Sequence, residues 1–176
     1  MRRNGFTLLE VLIALLVFSF GLLGMAGLLA VSVQTNHSAY LRTQATFLAQ
    51  GMADRMRANN LGLWNGGGSA TTSAYDGTYN ASTAGAANTC LGTASCKWSE
   101  VVARDKKIWS NQLVSFLPSP SATIACKPTG TAPSGDTLVE RPPYSGQCTI
   151  TIAWNEKSAE AGHADSNASL TWVFQP

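Results

Sequence analysis

The run from Phe6 to Val33 constrains this chain more than any other feature, because over residues 6–33, 28 in all, every position except Glu10 is apolar, small or hydroxylic. At a rise of about 1.5 Å per residue the run would cover roughly 42 Å as a helix, more than the roughly 30 Å hydrocarbon core of a bilayer requires. It is too long and too sustained for the core helix of a small domain, so a membrane-spanning helix is expected. In a chain of 176 residues this leaves room for one modest globular domain behind it.

Charge sets the expected orientation. Arg2 and Arg3 precede the apolar run, and positive charge flanking a first span tends to stay in the cytoplasm. Everything beyond Val33 is therefore expected outside, which in a two-membrane bacterium is the periplasm, with a single pass through the inner membrane. The formal charge is +2 from twelve Lys/Arg and ten Asp/Glu, so loss of the first five residues would leave ten against ten. A neutral mature protein argues against a general nucleic-acid binder.

All four cysteines, Cys90, Cys96, Cys126 and Cys148, fall on the expected periplasmic side, an even number in an oxidising compartment. Two disulfides are expected. Of three possible connectivities the favoured one is Cys90–Cys96, a short local loop, with Cys126 and Cys148 tying two strands together. Buried free thiols are the alternative. Zinc is disfavoured, since no Cys-x-x-Cys or Cys/His pair has ligand spacing.

An ordinary secretory signal places its small-residue cleavage site after the apolar stretch. Here Gly5 stands before it, so a cut between Gly5 and Phe6 would remove the charges and keep the helix. Glu10 adds weight: an ionisable residue within a span costs about 2.5 to 3.5 kcal/mol on insertion scales and is a functional candidate by default. The bland alternative is a carboxylate near the headgroups that reaches water. The run Gly5-Phe6-Thr7-Leu8-Leu9-Glu10-Val11-Leu12-Ile13-Ala14-Leu15 resembles the class III signal of type IV pilins and type II secretion pseudopilins. The resemblance implies cleavage by prepilin peptidase after Gly5 and N-methylation of the new Phe6 amine. It also implies that Glu10 attracts the positive N-terminus of a neighbouring subunit as helices enter a growing filament. Opposite charges at low dielectric attract strongly, and each relieves the other's burial cost.

Gly21, Gly24 and Gly27 interrupt the span, each weakening a helix by about 1 kcal/mol relative to alanine. They read either as a site of local melting or close helix packing, or as the ordinary glycine content of membrane helices. Beyond Val33 the composition turns polar, while Leu41, Ala45, Leu48, Met52 and Met56 recur at helical spacing. The helix is expected to continue to about Asn60, this stripe covering the globular domain, with Asn59, Asn60 and Gly62 as the stop signal. The expected organisation is a leader over 1–5, a transmembrane and assembly half-helix over 6–33, an amphipathic half over 34–60 and a periplasmic domain over 61–176.

The stretch from Gly62 to Thr89, rich in Gly, Ala, Ser, Thr and Asn, reads as a long loop anchored by Trp64, Tyr75 and Tyr79. Trp98, Val102, Asp105, Trp109, Leu113 and Phe116 fall near one helical face, Asp105 being the polar misfit, and Pro118 ends that helix. Period-two alternation marks strands at 121–126, at 147–154 with Cys148, Ile150, Ile152 and Trp154 on one face, and at Leu170, Trp172 and Phe174. The expected fold is α+β and pilin-like: a long N-terminal helix, hydrophobic then amphipathic, packed on an antiparallel sheet of three or four strands.

Two further stretches, Gly21-Leu22-Leu23-Gly24-Met25-Ala26-Gly27-Leu28 and Met52-Ala53-Asp54-Arg55-Met56-Arg57-Ala58-Asn59, resemble the PilV family of minor pilins, the type IV pilus modification proteins. This implies a minor pilin that joins other minor pilins in a priming complex at the inner membrane, starts assembly of the major pilin and remains at the fibre tip with an adhesin. The alternatives are a minor pseudopilin of a type II secretion system, and a DNA-uptake pilin using Arg104, Lys106 and Lys107, a cluster that otherwise reads as a solvated face. With two histidines, His37 and His163, no nucleophile or paired-carboxylate arrangement and no phosphate-cradling motif, no enzymatic activity, cofactor or metal is expected.

Overall fold

Helix α1 spans Leu8–Ala58 without interruption in the computed structural model, which describes residues 5–64, 72–84, 90, 95–129, 144–156 and 166–176. The leader arginines lie outside the described residues. Contacts divide the chain into Met1–Ala39 and Tyr40–Pro176, taken here one at a time. In the first unit α1 passes through Gly21, Gly24 and Gly27 unbroken, and two of its hydroxyls are satisfied locally: Ser19 Oγ donates to the Leu15 carbonyl at 2.7 Å and Thr35 Oγ1 to that of Val31 at 3.0 Å. This back-bonding is what allows hydroxylic residues into an apolar span.

In the second unit the sequence stripe is the core stripe. Leu41, Ala45, Leu48, Met52 and Met56 are all buried, in one cluster with the sheet. After α1 come α2 (Asn60–Trp64), β1 (Gly77–Tyr79), α3 (Ala81–Ala84), α4 (Trp98–Phe116), β2 (Ser121–Pro128), β3 (Gly146–Glu156) and β4 (Ser166–Phe174). The strands form one antiparallel sheet in the order β1-β2-β3-β4, completing the α+β, pilin-like arrangement. Alternation decides its faces: Ala122, Ile124 and Cys126 of β2 and Cys148, Ile150, Ile152 and Trp154 of β3 are buried, their neighbours turned outward.

Helix α4 starts where Glu100 reaches back to accept the Lys97 backbone N–H at 2.9 Å and ends as Leu117 turns to extended backbone ahead of Pro118. Trp109 fixes it against α1, its indole Nε1 donating to the Leu48 carbonyl at 2.8 Å. The structure forms the disulfides Cys90–Cys96 and Cys126–Cys148, the pairing favoured from the sequence. The second joins residues directly opposite each other on β2 and β3.

Three expectations need correction. Helix α1 ends at Ala58, close to the expected Asn60, but Gly62 is not part of the stop signal: it sits buried inside α2, where an added Cβ would lie 2.7 Å from Val102 Cγ2 and 2.9 Å from both Asn59 Nδ2 and Tyr75 Cε2. Close approach of three side chains demands glycine there. The expected loop from Gly62 also holds α2, the edge strand β1 and α3; its residues 65–71 and 85–89 lie outside the described residues. Phe116, expected on the core face of α4, is exposed, and Leu117 takes the buried place as the chain leaves the helix.

Candidate assembly site at the N-terminus

Thr7 sets the start of α1. Its Oγ1 lies 3.3 Å from the Glu10 backbone nitrogen and its carbonyl accepts the N–H groups of Glu10 at 3.1 Å and Val11 at 3.3 Å. Thr7 is thus an N-cap, three residues before a glutamate, the spacing of a capping pair. Gly5 and Phe6 precede the helix, so the peptide bond between them is in non-helical chain, and Phe6 is exposed.

Glu10 therefore occupies the first helical turn. Four free N–H groups give that end of a helix a partial positive charge, and a carboxylate there gains about 0.3 to 1 kcal/mol. That is less than the roughly 2.5 to 3.5 kcal/mol cost of a charge at the centre of a span, so at that depth a carboxylate would gain from a further cation. Phe6 and Glu10 border one shallow depression on the helix with Val11, Ala14, Leu15 and Phe18. The backbone nitrogen of Phe6 would become a cationic amine if the Gly5–Phe6 bond were cut. One chain would then carry, a turn apart on an otherwise apolar surface, one cation and one anion.

No packing within this unit requires glycine at 21, 24 or 27, because an added Cβ at each would meet no atom within 4 Å. Nothing in the most apolar window of α1 is buried, and Leu8, Leu9, Leu12, Phe18 and Phe20 present their side chains outward. By length and composition this helix can cross a membrane.

The basic trio in the second unit does not form one free face. Arg104 pairs with Asp105 at 3.7 Å, and its Nη1 lies 3.9 Å from Cys90 Sγ. Lys106 is half-buried with its ammonium 5.7 Å from the centre of the Tyr79 ring, and burial lowers its pKa, partly offset by Asp76. Arg104, Lys106 and Lys107 are all only partly exposed, not the fully solvated face that the sequence suggested.

Asp105, the misfit on α4, is the centre of a buried network that sequence reasoning missed. Tyr75 Oη donates to its carboxylate at 2.9 Å, Arg55 approaches at 3.4 Å, and Asn59 Nδ2 donates both to Tyr75 Oη at 3.1 Å and to the Trp98 carbonyl at 3.0 Å. Burial, and then the Asp105 charge, push the Tyr75 hydroxyl far above the usual tyrosine range. The signal was available in part: Arg55 stands between the core residues Met52 and Met56, and a buried carboxylate requires a cation. The network joins α1, α4 and the segment before β1, a structural role. Among the described residues no group of three or more His, Cys, Asp or Glu is arranged to hold a metal ion.

The family description "Prokaryotic N-terminal methylation motif" matches residues 1–26. The match takes in Gly5, Phe6, Thr7, Glu10, Gly21 and Gly24, and supports a type IV pilin-like or pseudopilin protein. No curated protein and no solved structure gives a significant match to the chain.

Proposed function

We propose that this chain is a minor pilin of a type IV pilus, in the PilV family, and that its work is structural, not enzymatic. The observation that carries the reading is Glu10 in the first turn of a bare apolar helix, one turn from Phe6, inside the matched methylation motif. Prepilin peptidase removes residues 1–5 and the Phe6 amine is methylated. The anchored protein waits in the inner membrane with its C-terminal domain in the periplasm. Glu10 then meets the N-terminal cation of another subunit. At 4 Å and an effective dielectric near 20, such a pair attracts by about 4 kcal/mol, enough to offset the cost of the buried carboxylate.

The likeness of Gly21–Leu28 and Met52–Asn59 to PilV supports a place in a minor-pilin priming complex that starts polymerisation of the major pilin and stays at the tip with an adhesin. The glycines, which their own chain does not require, suit close approach of neighbouring helices there. The methylation motif is shared with pseudopilins, so a minor pseudopilin of a type II secretion system is the second reading. A DNA-uptake role through Arg104, Lys106 and Lys107 is not supported, since two of the three are engaged within the fold. The test is a deletion strain scored for surface pili and for secretion of folded exoproteins. Loss of pili with normal secretion is expected; normal pili would refute the priming role, and a secretion block would select the pseudopilin.

A further inference from the structure

The two disulfides sit in different surroundings. Cys126 and Cys148 face each other on β2 and β3, both buried in the core cluster beneath a paired sheet. A thiol reaches that bond only through local unfolding. Among the described residues Cys90 and Cys96 are not part of the cluster, and Cys96 stands just ahead of the Lys97 cap of α4. Cys90 is buried, whereas Cys96 is half-exposed and lines an open hollow with Asn59, Lys97, Trp98 and Ser99. The two sulfurs of this one bond are therefore unequal.

Arg104 adds a second inequality. Its Nη1 lies 3.9 Å from Cys90 Sγ, and its Nε is buried without a hydrogen-bond partner among the described residues. Asp105 is its carboxylate neighbour at 3.7 Å, but that carboxylate also accepts from Tyr75 at 2.9 Å and meets Arg55 at 3.4 Å. Arg104 thus keeps donor capacity beside one sulfur of the pair. A disulfide sulfur is a weak acceptor, whereas a thiolate in the same place is an anion that a guanidinium stabilises.

We propose that the Cys90–Cys96 bond is a thiol-exchange site, attacked at Cys96 and arranged to release Cys90. The thiolate of an external dithiol bonds to Cys96 Sγ, the Cys90–Cys96 bond breaks, and its electron pair leaves on Cys90 beside Arg104. The second thiol of the reagent then attacks the mixed disulfide and frees Cys96. Two electrons and two protons pass from the dithiol to the cysteine pair, and the reagent departs as its own disulfide. Exchange is faster when the leaving thiolate is stabilised, which is the part Arg104 plays as a positioning residue. The Cys126–Cys148 bond, the sheet and the cap of α4 by Glu100 need no change in this step, so what opens is the link between Cys90 and the start of α4.

The test treats the full chain in mild detergent with graded dithiothreitol, quenches with an alkylating agent and maps the labelled peptides by mass spectrometry. A second arm uses excess glutathione, a monothiol that leaves the mixed disulfide in place. Cys90 and Cys96 should be labelled at least about tenfold faster than Cys126 and Cys148, and glutathione should be captured on Cys96 and not on Cys90. Both readings are made on the unaltered chain and stand whether or not a variant folds. Arg104→Gln should slow the opening of Cys90–Cys96 several-fold, and Arg104→Lys should keep most of the rate. A merely loosened fold would act in the opposite sense, speeding both pairs through unfolding. Equal labelling of the two pairs, glutathione on Cys90, or an Arg104→Gln chain that opens as fast as the original or faster would each overturn the proposal.

Discussion

Replacing Asp105 by alanine should cost this fold more than any other single polar change. The substitution removes the acceptor of the Tyr75 hydroxyl at 2.9 Å and the carboxylate facing Arg55 at 3.4 Å and Arg104 at 3.7 Å. A buried hydroxyl left without that acceptor costs about 1 to 3 kcal/mol. Breaking a fully buried ion pair costs roughly 3 to 5 kcal/mol, but this upper figure does not apply whole. The Arg55 and Arg104 side chains are 29% and 41% exposed, so both can turn to water. The expected sum is about 2 to 4 kcal/mol, a fall in Tm on the order of 10 °C for a unit of this size. Urea unfolding of the full chain in mild detergent, followed through the buried Trp109 and Trp154, measures it. Tyr75→Phe should be partly redundant in the Asp105→Ala background, with a coupling of at least about 1 kcal/mol. A cost below about 1 kcal/mol, or strict additivity of the two changes, would refute the network as described.

Other outcomes follow from single contacts. Glu10→Val should leave membrane insertion and cleavage after Gly5 intact while lowering incorporation into fibres, as read by immunoblots of sheared filaments; normal incorporation would refute the charge-pair account. Gly62→Ala gains about 1 kcal/mol of helix propensity but drives a Cβ to within 2.7 Å of Val102, so a net loss of about 1 to 2 kcal/mol is expected by chemical denaturation. Ser110→Ala should be stabilising by about 1 kcal/mol in the same assay, because Ser110 Oγ is buried without a hydrogen-bond partner among the described residues. Tyr75, Tyr79 and Tyr144 all have hydroxyls raised above the ordinary tyrosine value of 10.0, mainly by burial, Tyr144 to about 12. The folded state therefore holds these protons longer than the unfolded chain. Their contribution is complete below about pH 10 and lost as pH rises through the folded values. An alkaline titration should show unfolding and tyrosinate absorbance appearing together, whereas tyrosinate forming ahead of unfolding would contradict the burial.

Strict periodicity is what made parts of this fold legible. Leu41 to Met56 repeat with the turn of a helix and Cys148 to Trp154 with the pleat of a strand, and each pattern survives into the structure because one face of each element is buried. β1 has no pattern to read: Gly77-Thr78-Tyr79 is too short for alternation, and its position comes from β2 and from the Asp76 side chain. Asp105 was visible only as a misfit, since its partners Tyr75 and Arg55 are brought to it by the tertiary fold. Phe116 follows Trp109 by seven residues, a spacing that suggests the same face. The helix ends before that face is used again, and the change to extended backbone at Leu117 hands the buried place to the next side chain. At the N-terminus the reverse holds. Gly5, Phe6 and Glu10 belong to a methylation motif that is legible from sequence because it is a local pattern and needs no long-range contact.

The indole of Trp109 bonded to the Leu48 carbonyl has a mechanical meaning. If the chain assembles into a filament as proposed, tension would pull α1 along its own axis. The second unit would meet that pull with this hydrogen bond between α4 and α1 and with the Leu41 to Met56 stripe buried along α1. Contacts arranged this way resist in parallel and must fail together, whereas a hairpin peeled from one end yields one pair at a time. In this geometry a modest number of kcal/mol can translate into a high rupture force, and weakening Trp109 should lower that force before it lowers equilibrium stability to the same degree.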